Sequence, residues 1–169
     1  TDFNKNAIAW HEAMVSALKH ALLYGLSATR TGDLPPVGGG AGGKFSLVDD
    51  ATIDREILSS RLALAIMDRA SWEFSDLRSR MAMLERREEL EQQDMLRAHV
   101  LARIAVDAWG TARLPAEGWR ELQPVIHEEF AGLVQEAYHE VNAFLVAQQI
   151  LPEVDLRPYI RRSTAPVTN

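Results

Sequence analysis

The chain has 169 residues, 47% of them hydrophobic and 25% charged, with a formal net charge of −6 and a pI near 5.4. This is typical of one soluble globular domain, and the acidity argues against a nucleic-acid binder, which is usually basic. No apolar run is long enough to span a bilayer, and the lack of cysteine excludes disulfides, thiolate ligands and a cysteine nucleophile. We expect a cytoplasmic domain that binds neither nucleic acid nor membrane.

Residues 1–28 are predicted to form an N-terminal helix. Apolar residues recur along it at intervals close to three and four and form one stripe: Ile8, Trp10, Met14, Leu18, Leu22 and Leu26. The next segment, residues 29–43, contains two adjacent prolines and several glycines and is predicted to be a flexible linker. A linker of this length leaves the position of the first helix open, so that helix could also exchange between copies.

The end of the linker, GGGAGGKFS, nearly matches a phosphate-binding loop. Phe45 stands where such a loop needs a magnesium-binding serine or threonine, and two prolines precede the glycines in place of a strand. We therefore predict a linker and no nucleotide site.

Residues 45–87 are predicted to form one long amphipathic helix against which the other helices pack. Asp49 or Asp50 can cap its start, and a bend, if there is one, is expected at Ser71 and Trp72. Its apolar stripe keeps the helical spacing over many turns: Leu58, Leu62, Ile66, Ala70, Phe74, Leu77, Met81 and Leu84.

Two more helices are predicted after the polar segment 85–93. The first covers residues 94–109, with Asp94 as its N-cap and Gly110 as its C-terminal cap. The second covers residues 116–149, and Pro124 is expected to kink it or to start a new segment. Its apolar residues between 126 and 148 are expected to pack as one face against the stripe of the 45–87 helix.

These elements predict an all-α fold, an elongated antiparallel bundle of about four helices with two long members. The bundle core is expected over residues 44–156, followed by a basic, mobile tail over residues 157–169.

The residues give little sign of catalysis. Glu136 and His139 form one E-x-x-H pair, whereas di-iron carboxylate bundles use two such pairs and two further glutamates. A solvated helix face is the better interpretation, and a metal-dependent enzyme using this pair is our weakest hypothesis. No catalytic, cofactor-binding or metal-ligating residue is assigned, and no cofactor is expected.

Aromatic and basic side chains are the candidate interface residues. Trp72, Trp109 and Trp119 are expected to pack between helices, although one that is exposed would suit an interface anchor. The tail carries a basic cluster around one aromatic ring, Arg157, Tyr159, Arg161 and Arg162, which could contact an acidic or phosphate-bearing partner but is expected to be solvated.

Three short segments resemble a known family. Phe45-Ser-Leu-Val-Asp49-Asp50 looks like its L-S-L-V-[DE]-[DE] segment, and Leu77-Arg-Ser-Arg80-Met-Ala-Met-Leu84 is similar to its L-x-x-R-L-x-x-L stretch. Tyr138-His-Glu-Val-Asn142-Ala-Phe-Leu145, followed by Gln149-Ile-Leu-Pro152, resembles Y-x-x-x-N-x-x-L before a G-V-L-P-like ending. The family is the proteobacterial domain-of-unknown-function family sixteen-thirty-one.

The resemblance covers roughly residues 44–152 and implies an interior piece of a much larger cytoplasmic protein. It brings no catalytic residues, and the thymidine phosphorylase label that some members carry finds no support in these residues. The chain departs from the pattern at Gln149, where the family has glycine, and at Gln93-Asp94, where it has an Asn-Pro turn.

We therefore expect a non-catalytic protein-interaction or regulatory domain that binds partner helices or self-associates, for example as a homodimer. The alternative is a small-ligand, nucleotide-type sensor with a pocket between helices near Trp72, Trp109 or the arginine-bearing tail.

Overall fold

Four helices make up the described part of the chain, which in this computed structural model comprises residues 2–24 and 50–153. They are α1 (Asp2–Tyr24), α2 (Asp50–Leu84), α3 (Ala98–Thr111) and α4 (Ala116–Ala147), with no strand among the described residues. The predicted all-α bundle with two long members is confirmed. The predicted linker 29–43 and tail 157–169 lie outside the described residues.

The central helix is α2, which packs on both α3 and α4, while α1 packs on α3. Its 35 residues span about 52 Å at 1.5 Å per residue. Its buried line follows the predicted stripe from Leu58 to Leu77, and the helix continues without interruption through Ser71 and Trp72. This line is continuous because two neighbouring helices cover it along its length.

The helices run up, down and up from α2 to α4. Asp54 pairs with Arg120 near the starts of α2 and α4, and Arg80 bonds Asn142 near their ends, so these two helices are parallel. Helix α3 runs the other way, because its first residue, Ala98, lies beside Phe74. Helices consecutive in the chain from α2 onward are therefore antiparallel.

The predicted caps of α3 and the predicted division of α4 at Pro124 need correction. Asp94 does not cap α3, because its carboxylate accepts a hydrogen bond from the Leu96 N–H (2.9 Å) in the preceding turn, and α3 begins at Ala98. Gly110 lies inside α3 rather than at its end. Pro124 does not divide α4, which is one helix across it. A proline costs a helix one hydrogen bond, and α4 tolerates that loss at an exposed position.

Helices α2, α3 and α4 all end in the same hydrogen-bonding pattern, with a non-glycine residue in the left-handed region. The residues are Arg86 (φ 56°), Arg113 (φ 57°) and Gln149 (φ 62°). At the end of α4 the Ile150 N–H bonds the Leu145 carbonyl (2.9 Å), and the Gln149 N–H bonds the Val146 carbonyl (3.0 Å), which is a Schellman motif. The glycine of the family pattern therefore corresponds to a backbone position that favours glycine.

Replacing Gln149 with glycine should stabilise the domain by about 0.5–1 kcal/mol, because glycine adopts a positive φ without steric cost. The matched control is Gln148→Gly, one residue earlier, where φ is −84° and glycine offers no such relief. Urea denaturation of both variants gives the comparison. Equal effects of the two substitutions would contradict the strain at Gln149.

Three tryptophans join α1 to the rest of the bundle. Trp10 of α1 packs edge-on against Trp109 and Trp119, with ring centroids 5.0 and 5.9 Å apart, and those two rings are 5.3 Å from each other. The Trp10 indole N–H donates to the Ala105 carbonyl of α3 (2.9 Å). Helix α1 is thus packed against its own chain.

Candidate interaction surface

The tryptophan candidates separate into buried and exposed side chains. Trp109 and Trp119 are 5% and 0% exposed and belong to the core, whereas Trp72 on α2 is 73% exposed. Trp72 is therefore the candidate that a partner could reach in this fold. Arg157, Tyr159, Arg161 and Arg162 lie outside the described residues.

Neither the metal nor the sensor hypothesis gains a built site. Glu136 and His139 are both exposed on α4, and no group of three metal-ligating side chains occurs within residues 2–24 and 50–153. None of the helices described could cross a membrane.

An open groove of about 480 Å³ lies between α2 and α3 and has enough volume for a small ligand. Its most attractive feature for an anion is Arg97, beside His99 and Phe74. The Arg97 guanidinium, however, already donates to the Leu90 and Glu91 carbonyls (2.5 and 2.6 Å). Most of the hydrogen-bond donors of Arg97 are therefore already used within the protein, which makes the groove a poor site for an anion.

A buried polar clasp, formed by Arg80, Asn142 and the Leu151 carbonyl, fastens the end of α4 to α2. Arg80 donates from Nη1 to the Asn142 Oδ1 (2.8 Å) and from Nε to the Leu151 carbonyl (3.0 Å). The Asn142 amide in turn donates to the Glu73 carbonyl (2.8 Å), and both side chains are nearly inaccessible. Buried polar groups are tolerated when they are satisfied in this way. Its members come from the second and third of the segments that resemble the family, Arg80 from the second and Asn142 and Leu151 from the third.

Tyr138 of the same family segment also has a packing role. It is buried against Phe74, and its hydroxyl donates to the Leu96 carbonyl. Burial raises the pKa of the Tyr138 phenol well above its usual range, with a smaller contribution from the negative charge of Asp94. The hydroxyl therefore stays protonated as a donor, which suits a structural contact between α4 and the segment before α3.

Burial of His127 should make the stability of the domain depend on pH. Its Nε2 is buried without a hydrogen-bond partner, and burial, followed by the positive charge of Arg61, lowers the pKa of its imidazole. The pKa of His127 is lower in the folded chain than in the unfolded chain, so the unfolded chain binds a proton first as the pH falls. The free energy of unfolding should therefore decrease as the pH drops below about 6.5.

His127→Gln should remove that component, so its melting temperature should fall less than that of the unchanged protein between about pH 7 and pH 5. His139→Gln, at an exposed position of the same helix, is the matched control. Calorimetric melting at several pH values gives the measurement. Parallel pH profiles for His127→Gln and the unchanged protein would contradict the assignment.

Helix α4 carries an exposed apolar stripe on the side away from α2, which we call the α4 outer face. Leu133 and Phe144 are each 62% exposed, although a helix packed on one side normally turns such residues inward. The face continues at three- and four-residue spacing: Leu122, Ile126, Phe130, Leu133, Ala137, Val141 and Phe144. Ile126 and Phe130 are half-buried and the others are exposed.

The sequence predicted one apolar face on α4, and the structure divides it in two. Val134 and Leu145 are buried towards α2, whereas Leu133, Val141 and Phe144 remain accessible. Apolar residues extend so far around the helix that one neighbour cannot cover them all. The prediction that the whole set packs against α2 is therefore wrong for its outer members.

The comparisons with known proteins concern the family and not a function. A family model described as "Protein of unknown function (DUF1631) N-terminal domain" matches residues 1–149. No curated protein and no solved structure matches the chain. Because the matched region contains all four helices, the chain belongs to the DUF1631 family, which confirms the resemblance of its short segments.

Proposed function

We propose that this chain is a non-catalytic, cytoplasmic protein-interaction or regulatory domain that binds a partner helix along the α4 outer face. The observation that supports the proposal is the apolar stripe from Leu122 to Phe144, which extends about 33 Å along one helix and is exposed except at the half-buried Ile126 and Phe130. Large exposed apolar patches on soluble domains mark interaction sites. The partner is another part of a longer protein, a second copy or a separate protein.

The shape of the face favours a helix as the partner. Its residues form a straight row on a long rigid element, and amphipathic helices bind such rows through side chains spaced three and four apart. Leu133 and Phe144 are each 62% exposed, so full burial of either side chain would contribute roughly 1–2 kcal/mol, and Val141, which is 37% exposed, would contribute less. Two or three such anchors would offset only part of the cost of association, so specific binding also needs contacts along the rest of the row and its borders.

Photo-crosslinking in cells tests the proposal. A benzophenone amino acid in place of Leu133 or Phe144 should give adducts whose attached peptide is an amphipathic helical segment. The same probe at Gln92, in the exposed connection before α3, is the control and should give none. Equal adduct formation at Gln92, or none at Leu133 and Phe144, would contradict the proposal.

A second experiment separates binding from folding. Val141→Asp, placed between the two probe positions, should abolish the adduct at Phe144 because it puts a charge into the apolar face. Since Val141 is 37% exposed in the free domain, the free energy of unfolding should change by about 1 kcal/mol, which leaves the domain folded. Loss of the adduct together with unfolding would show a stability effect, so urea denaturation accompanies the crosslinking.

A further inference from the structure

We propose that the partner of the α4 outer face is an amphipathic helix with a row of lysine or arginine residues beside its apolar face. This inference rests on the proposed function and specifies the chemistry of the partner. It comes from the charges along the border of the face, where Glu129, Glu136 and Glu140 are exposed on the same helix.

The three glutamates lie within reach of the most accessible apolar side chains. Glu129 is four residues before Leu133, Glu136 is three residues after it, and Glu140 is four residues before Phe144. Side chains at these spacings are neighbours on a helix surface. A helix seated on Leu133 and Phe144 would therefore have these carboxylates along one of its sides.

Among the residues that the structure describes, nothing pairs with these carboxylates, which leaves them to a partner. None of the three forms an ion pair in the part of the chain that the structure describes, whereas Glu56 and Asp54 on α2 are paired with Arg103 (2.8 Å) and Arg120 (2.9 Å). Helix α4 contains six glutamates and one arginine, and that arginine is the Arg120 already bound to Asp54. The helix has no spare lysine or arginine to neutralise the row.

The same charges argue against the competing occupants. A two-fold symmetric dimer through this face would bring two glutamate-bordered helices together, and like charges at an interface cost binding energy. Nucleic acid and anionic lipid would meet the same repulsion. A basic amphipathic helix instead gains from both the apolar row and the carboxylate row.

Two synthetic peptides provide the test. Both have about twenty-one residues with the same leucine and alanine positions, spaced three and four apart, and they differ in one flanking row, lysine in the first and glutamate in the second. The lysine peptide should bind the full chain, with affinity that weakens as salt increases, and the glutamate peptide should bind at least about tenfold more weakly. Fluorescence anisotropy of labelled peptides gives both affinities.

Charge reversal shows whether these glutamates are responsible. The double variant Glu136→Lys with Glu140→Lys should lower the affinity for the lysine peptide by about tenfold, or about 1.4 kcal/mol. The same variant should raise the affinity for the glutamate peptide. Glu85→Lys with Glu88→Lys, in the exposed connection after α2, makes the same change in net charge elsewhere. This control should change either affinity much less, which distinguishes a specific row from general attraction to an acidic protein.

The outcomes separate the inference from the proposed function. If both peptides bind with equal affinity and Val141→Asp abolishes the binding of both, the helix-binding function stands and the inference of a basic partner is wrong. If neither peptide binds, both proposals fail. A dimer in light scattering that Val141→Asp dissociates would assign the face to a second copy and overturn the inference, as would charge reversals that leave both affinities unchanged.

Discussion

Asn142→Leu should lower the free energy of unfolding by about 2–4 kcal/mol, although leucine has nearly the shape of asparagine. The substitution removes the oxygen that accepts from Arg80 Nη1 and the amide that donates to the Glu73 carbonyl. Arg80 is 5% exposed, so its charge cannot turn to water for compensation. Its remaining partners are the Leu151 carbonyl at 3.0 Å and the Asp76 carboxylate, which is 4.0 Å away.

A double-substitution cycle identifies the cause of this loss. Arg80→Met with Asn142→Leu removes the buried charge together with its acceptor, so the double variant should be more stable than Asn142→Leu alone. Urea denaturation of the two single variants, the double variant and the unchanged chain gives the coupling free energy. Additive losses would mean that packing, and not the buried guanidinium, sets the cost at Asn142.

The clasp also affects the proposed binding surface. It fastens α4 at Asn142, between Val141 and Phe144 of the outer face, and holds the segment after α4 through the Leu151 carbonyl. A rigid apolar row binds a helix with less loss of conformational entropy than a mobile one does. The family-like residues in this region therefore hold α4 in position beneath the proposed surface.

The sequence predicted α2 well because its apolar stripe has one period and one purpose. Leu62, Ile66 and Leu77 are fully buried where the spacing placed them. Periodicity did not predict which apolar residues of α4 are buried. Its apolar residues form one broad face in the sequence pattern, and tertiary packing decides which part of that face is covered. The sequence therefore contained the α4 outer face but did not identify it as accessible.

Residue type alone hid the clasp and the identity of the exposed tryptophan. Arginine is seldom fully buried without a partner, so the sequence alone favours an exposed Arg80. Its buried partner, Asn142, is distant in sequence and is identified only by the fold. Trp72 and Trp119 are chemically identical, and only the positions of neighbouring helices make one exposed and the other buried. The resemblance marked the segments that form the clasp without indicating that they meet.

Trp119→Ala should cost about 3–5 kcal/mol of unfolding free energy, because Trp119 is fully buried and alanine leaves a large cavity. The effect should extend to α1, since Trp10 packs on both Trp109 and Trp119. Compared with the unchanged protein, Trp119→Ala should increase the rate of native-state hydrogen exchange more in α1 than in the middle of α2. Trp72→Ala is the matched control and should change stability by less than about 0.5 kcal/mol, since that ring is largely exposed.

Trp119→Phe separates the ring's volume from its polar group. The Trp119 indole N–H is buried without a hydrogen-bond partner, so phenylalanine removes an unsatisfied donor while it keeps an aromatic ring against Trp109. This variant should therefore be much more stable than Trp119→Ala, because relief of the donor offsets part of the smaller cavity. Equal losses of stability in Trp119→Phe and Trp119→Ala would contradict the expectation that an aromatic ring fills most of the cavity. If α1 exchanges no faster in Trp119→Ala, its attachment does not depend on the tryptophan cluster.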